Sequence, residues 1–223
     1  MNCCTAPPGL DNIFDARIAA REARRFERRG LVPRARRLMT AIRAQVPLDG
    51  ATSLEIGGGA GGFSLTLLRE GVSTATIIDA SAAYVAEARR LAATCRLSER
   101  LDVRHAVYAA QPGDGNVDLI VLDRVVCCDP DWQGLLRPAS RQAKRAIALS
   151  YPRAAWWTAL LVRVVNFGLR VMRETFRLQH HPPAAMHALL SDAGFQPRVI
   201  GHYWMWELVV ATRAAAVPDR HHP

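Results

Sequence analysis

From Ser53 onward, short apolar runs alternate with longer stretches in which apolar residues recur at helical spacing. The runs predict strands at 53–57, 74–79, 101–106, 117–123 and 145–150, and the stretches predict helices from 61 to about 70, at 82–95 and at 131–143. Strand and helix in alternation argue a parallel sheet with helices on both faces, whose ligands bind at the carboxyl ends of the strands. That rule gathers Gly57–Gly61, Asp79, Val107–Tyr108, Asp123–Arg124 and Ser150–Tyr151 on one rim. Ahead of the sheet, Ala16–Arg29 reads as an arginine-dense helix closed by Gly30, and Pro33 opens a second helix through Ala44. Ile18, Ala19 and Phe26 are sparse apolar points on the first of these, which predicts light packing across the domain. Beyond the fifth strand, Ala154–Arg177 reads as one amphipathic helix. Trp157, Leu160, Leu161, Val164, Val165, Leu169 and Met172 form its apolar stripe, and Arg163, Arg170 and Arg177 recur on another side. Pro182–Pro183 then starts a helix over 184–193 that ends at Gly194, and 196–202 and 205–212 are β-rich runs joined by an aromatic turn.

A chain of 223 residues, half of them hydrophobic, suits one α/β domain with appendages. The expected division is a helical cap at 1–48, a sheet domain at 49–213 carrying the insertion 154–181 as a lid, and a disordered tail at 214–223. The formal charge of +9 attracts polyanions, but no nucleic-acid-binding motif accompanies it, so no nucleic-acid partner is expected. Cys3, Cys4, Cys95, Cys127 and Cys128 are odd in number, and Met1–Cys4 lacks the start of a secretory leader. Free thiols in a reducing cytoplasm follow. Arg163 and Arg170 interrupt the best candidate for a membrane span. A peripheral contact through Trp156–Trp157 stays open as a lesser reading, and a monomer or homodimer is expected.

The organising motif is Leu54-Glu55-Ile56-Gly57-Gly58-Gly59-Ala60-Gly61-Gly62, a strand that breaks into glycines and runs into a helix. Glycines permit positive φ and a close ligand approach, while the new helix presents free N–H groups. The spacing also satisfies the dinucleotide pattern, so an NAD-linked oxidoreductase remains an alternative. Glu55 argues against a pyrophosphate, which disfavours a neighbouring carboxylate, and suits a ligand bearing a sulfonium and an amino group. Asp79 ends the second strand, where a carboxylate accepts ribose hydroxyls; a helix N-cap is its rival role.

These residues resemble the first motif of class I S-adenosylmethionine-dependent methyltransferases: Glu55, Gly57, Gly59 and Gly61 stand where that family has an acid and three glycines. The resemblance implies a Rossmann-like, doubly wound seven-stranded sheet with an antiparallel last strand, N-terminal helices folded over the cofactor, and S-adenosyl-L-methionine as that cofactor. It places Glu55, Gly57, Gly58, Gly59 and Gly61 at the methionine end, Asp79 and Ala80 at the ribose, and Asp123 facing the methyl donor. The family's acid after the third strand is missing, which leaves Tyr108 to border the adenine. Across residues 10–213 the chain is similar to the magnesium-protoporphyrin O-methyltransferase branch, through Leu54–Gly62, Val121–Trp132 and the tryptophan-bearing insertion after Ser150-Tyr151-Pro152.

The expected reaction is methyl transfer to a small-molecule acceptor, at a hydroxyl or carboxylate oxygen. Asp123 and Arg124 are the polar residues best placed for the acceptor, Arg124 by a two-pronged grip on a carboxylate; a simple Asp123–Arg124 pair is the rival reading. Tyr151 shares the rim, and His180 and His181 are candidate bases because imidazole titrates near neutrality. Cys127–Cys128 raises thiol-assisted metal or metalloid methylation, although adjacent cysteines lack zinc-ligand spacing and no metal is expected. A non-catalytic S-adenosylmethionine-binding module is the remaining alternative.

Overall fold

The computed structural model describes residues 8–112 and 115–213. Cys3, Cys4 and the tail 214–223 lie outside the described residues. In chain order the elements are α1 (Leu10–Ile13), α2 (Ala16–Arg29), α3 (Pro33–Gln45), β1 (Thr52–Ile56), α4 (Gly62–Arg69), β2 (Thr74–Asp79), α5 (Ala82–Thr94), β3 (Leu101–His105) and β4 (Val117–Asp123). A short 3-10 turn at Val126–Cys128 follows, then α6 (Trp132–Gln142), β5 (Ala143–Pro152), α7 (Trp156–Val171), α8 (Pro183–Asp192), β6 (Phe195–Tyr203) and β7 (Trp206–Arg213).

The strands form one seven-stranded sheet in the order β3-β2-β1-β4-β5-β7-β6. The first five run parallel, and the last strand of the chain enters antiparallel between β5 and β6. Strand order reverses between β1 and β4, so their carboxyl ends splay apart and open a crevice there. β4 shows why the central strands read as unbroken apolar runs. Leu119 and Val121 face one layer, Ile120 and Leu122 the other, and all four are 0% exposed. Leu38 and Ile42 of α3, Leu65 and Leu68 of α4 and Leu91 of α5 fill the first layer; Leu136 of α6 with Met186 and Leu190 of α8 fill the second. Each such side chain gains about 1.5–3 kcal/mol from leaving water.

In the N-terminal cap, Asp15 accepts the Ile18 N–H at 2.8 Å to start α2, and Gly30 closes it with φ 65. Ala19 and Ala23 are its buried residues, so the helix touches the domain along a narrow seam and leaves its arginines in water. The insertion departs from the expected helix over 154–177. α7 stops at Val171 because Arg173 turns left-handed at φ 61 and the Glu174 N–H returns to the Leu169 carbonyl at 2.9 Å. Arg177 therefore lies in an extended strap, a reversal that apolar periodicity does not register.

Candidate functional site

At the end of β1 the chain turns through Gly57 with φ 62, and a Cβ there would stand 2.6 Å from a γ-methyl of Val125. Any side chain would close the crevice. Gly59, at φ 54, donates its N–H to Asp79 Oδ2 at 2.8 Å, and Ser81 donates its N–H to Oδ1 at 2.8 Å. Both Asp79 oxygens are thus fixed by backbone, and each keeps a further lone pair for a ligand. Burial raises the Asp79 pKa while the two N–H bonds oppose the shift. The N-cap of α5 is Ser81, so Asp79 is free of the capping role.

A cavity of about 310 Å³ opens on this rim. Gly57, Gly59, Asp79, Ala80, Asp123 and Arg124 line its polar side, and the ring of Tyr108 lines the apolar side. The Tyr108 hydroxyl donates to Gln142 Oε1 at 2.6 Å, so this residue offers the cavity its ring and no proton. Leu10, Phe14, Phe176 and Leu178 roof the space. The roof is joined edge to face at Phe14–Phe176, with ring centroids 5.8 Å apart, and Asn12 Nδ2 donates to Glu174 Oε2 at 3.1 Å. The strap after α7 thus covers the cavity, while α7 itself contributes no lining residue.

A second cavity of about 350 Å³ shares a wall with the first at Glu22, Gly57, Gly59, Asp123, Arg124 and Trp206. Arg25, Arg34, Glu55 and Gly58 border it. Glu55 is bound beneath the loop, where its Oε2 accepts the Ser64 N–H at 3.0 Å and the Ser64 hydroxyl at 2.6 Å. Glu55, expected at the methionine end, borders this cavity while its Oε2 braces the start of α4, and burial pushes its pKa up to about 7. Gly61 borders neither cavity. It turns left-handed into α4, facing Ile77 and Ala88.

Asp123 and Arg124 do not pair with each other. Arg34, at the start of α3, sets its guanidinium against Asp123 Oδ1 and donates to Ser150 Oγ at 3.0 Å, and Ser150 donates to Asp123 at 2.5 Å. Burial lowers the Arg34 pKa to about 9, which leaves it cationic at neutral pH. Arg124 has φ 65, its N–H donates to Ser150 Oγ at 3.0 Å, and its guanidinium stands 3.7 Å from Glu22 of α2. Nothing in the arginine-dense sequence distinguished Arg34 from its neighbours. Glu22, Phe14 and Phe176 were missed for the same reason, since their roles arise from elements far apart in the chain.

Three proposed catalytic residues lie away from the cavities. The Tyr151 hydroxyl is buried between His187 Nε2 at 2.6 Å and Glu207 Oε1 at 2.8 Å, and burial with that carboxylate raises its pKa. His180 is tied to the Arg153 carbonyl at 3.1 Å and His181 to the Asp129 carbonyl at 2.8 Å. The loop that carries both imidazoles packs against the 126–132 segment, with the Gln179 N–H on the Cys127 carbonyl at 2.7 Å and the His181 ring beside Trp132. Cys127 and Cys128 do border the first cavity, and both thiols donate to the Arg124 carbonyl. The contact with Cys128 and burial raise the Cys127 pKa and keep it protonated.

Residues 54–146 match a family model described as a methyltransferase domain. No curated protein matches the sequence significantly. Among solved structures, magnesium protoporphyrin IX methyltransferase from Synechocystis PCC 6803 with bound SAH superposes with a TM-score of 0.69 at 17% identity, over 92% of this chain and 98% of that one. An O-methyltransferase family protein from Burkholderia thailandensis gives 0.67 at 16% identity, over 92% and 63%. An O-methyltransferase family 2 protein from Planctomyces limnophilus DSM 3776, in complex with apigenin, gives 0.64 at 16%, over 81% and 56%. At these identities the likeness is one of fold.

Proposed function

We propose that this chain, whose residues 54–146 match a methyltransferase domain, is a class I S-adenosylmethionine-dependent methyltransferase that moves the methyl group to an oxygen of a small acid, forming a methyl ester. The observation that carries this reading is the rim itself: a ribose-ready carboxylate at Asp79 and a loosely engaged Arg124 border one roofed cavity.

The residues present fit the cofactor. Asp79 offers the lone pairs that a ribose diol needs, Gly57 leaves room that a Cβ would fill, and Tyr108 and Leu135 supply apolar walls for an adenine. Bound S-adenosylmethionine supplies an electrophilic methyl carbon on a sulfonium. The chain's contribution is alignment and exclusion of water: Phe14 and Phe176 close the roof, and Asp123 is held in one position by Arg34 and Ser150.

Among the described residues that line the two cavities there is no histidine. An acceptor that is already an anion needs no base, which favours a carboxylate over a hydroxyl. Arg124 and Arg25 border the second cavity and suit the planar two-oxygen geometry of a carboxylate. The fold likeness makes a porphyrin propionate the first acid to test, and other apolar carboxylic acids the second.

Radiolabelled S-adenosylmethionine with a panel of apolar acids and phenols tests the reading. The expected product is a methyl ester that mild base hydrolyses; transfer only to phenols, giving base-stable ethers, overturns it. Calorimetry with S-adenosylhomocysteine and NADH separates the NAD-linked alternative, since only the former should bind, and Asp79→Ala should weaken that binding by roughly tenfold or more.

A further inference from the structure

α7 is anchored on one side only. Thr158 and Val162 are its buried residues, and Asn166 holds the strap through Nδ2 to the Leu178 carbonyl and Oδ1 from the Leu178 N–H, both at 2.8 Å. The opposite side is apolar and open to solvent. Trp156, Leu160, Val164, Phe167 and Val171 are 80, 51, 59, 69 and 65% exposed. At 100° per residue these five fall within about a quarter of the helix circumference, so they form one stripe. Trp204, 67% exposed at the β6–β7 turn, stands beside Trp157 at 6.4 Å and extends the patch. This exposed stripe shares Leu160 and Val164 with the one read from the sequence, but adds Trp156, Phe167 and Val171 and is rotated away from Leu161 and Leu169.

The fringe of the patch has one sign. Arg163 and Arg170 follow the stripe along one border, Arg153 and Arg173 stand at its ends, and no acidic residue occurs from Arg153 to Arg173. An apolar stripe on a helix whose charged residues are all arginine is complementary to a surface that is apolar below and anionic above. A second copy packed antiparallel on this face about a two-fold axis would bring arginine borders against each other. α7 has 16 residues, and among the described residues no helix is long and apolar enough to cross a membrane, so the arrangement suits lying on a bilayer rather than spanning one.

We propose that α7 and the Trp204 turn are a docking face for an anionic lipid bilayer, with Trp156, Leu160 and Phe167 in the acyl boundary and the arginines on lipid phosphates. The strap leaving α7 carries Phe176 and Leu178 over the first cavity, so docking sets that roof next to the membrane surface. An apolar acceptor dissolved in lipid then reaches the cavity without crossing bulk water.

Sedimentation of the purified full chain with phosphatidylcholine vesicles, with and without phosphatidylglycerol, tests this. The chain is expected to pellet with the anionic vesicles and to be released by salt. Leu160→Ser with Phe167→Ser leaves the charge unchanged and should weaken partition roughly tenfold or more. Arg163→Gln with Arg170→Gln should do likewise. All four positions are exposed, and unchanged melting and S-adenosylhomocysteine binding certify the fold. Brominated lipid should quench tryptophan emission in the wild type and less in Trp156→Phe. Failure of the wild type to pellet overturns the proposal, as does equal pelleting of the serine variant, which would mark general adhesion of a basic chain. A dimer by light scattering that Phe167→Ser disperses would overturn it in favour of self-association.

Discussion

The floor and the roof of the cavity are built on different principles. The floor joins residues near one another in sequence: Glu55 reaches Ser64 across 9 positions, and Gly59 reaches Asp79 across 20. Its carboxylates are buried and held by backbone N–H groups. The roof joins Phe14 to Ser81 across 67 positions and Asn12 to Glu174 across 162, and beside it, on the second cavity, buried Arg34 reaches Ser150 across 116. A rigid local unit thus faces a cover that depends on contacts between segments distant in the chain.

If that contrast holds, Arg34→Met should have the largest effect. It strands the Asp123 carboxylate in a site where the two side chains are 5% and 13% exposed, and urea denaturation should show a loss of about 3–5 kcal/mol. A loss below about 1 kcal/mol would mean that the distant segments are not anchored there.

Glu55 probes the floor. Its folded pKa of about 7 lies above the ordinary 4.5, so the folded chain holds a proton that the unfolded chain releases between those values. The stability this group contributes is full below pH 4.5 and is lost as pH rises through 7, by up to about 3 kcal/mol. Asp79, also raised by burial, acts in the same sense. Glu55→Gln should flatten the slope of stability against pH over that range while still accepting the Ser64 N–H; an unchanged slope would assign the effect elsewhere.

The clasp of the roof comes next. Gly9 has φ 77, and a Cβ there would meet Thr175 Oγ1 at 2.5 Å and the Phe176 nitrogen at 2.7 Å. Gly9→Val should cost about 1–2 kcal/mol and speed release of S-adenosylhomocysteine in stopped flow, with the floor's contacts unaffected. The smallest effect belongs to Glu22→Gln. Its bridge to Arg124 spans 3.7 Å between side chains 40% and 47% exposed, so stability should move by less than about 0.5 kcal/mol. Acceptor KM should fall, because Arg124 is freed; a rise would show that Glu22 positions Arg124 for the acid.

The same contrast explains what the sequence disclosed. β1, its glycines and Asp79 form a continuous local signal, and the alternation of apolar runs located the parallel sheet and the two β-rich runs at the end, while their antiparallel pairing came only from the family resemblance. Element edges within that region fell where glycines, prolines and caps put them. Arg34 gave no such signal, because its meaning comes from Ser150 and Asp123 on strands over a hundred residues later. Tyr151 shared a strand end with Ser150 but points the other way, since successive side chains on a strand alternate faces. For α7, periodicity identified an amphipathic helix but could not say which arc would meet the domain: Asn166 and Val162 made that choice, and the left-handed turn at Arg173 ended the helix six residues before Arg177.

The leaf of the cover formed by α1 is only four residues long, with a left-handed residue just ahead of it and one side-chain bond to Glu174. Loosening so brief a piece is a nanosecond-to-microsecond event that needs no hinge between domains. Release of S-adenosylhomocysteine is expected to follow the fraying of this single turn, at a tempo quicker than wholesale opening of the helical layer would allow, and stopped flow reads it.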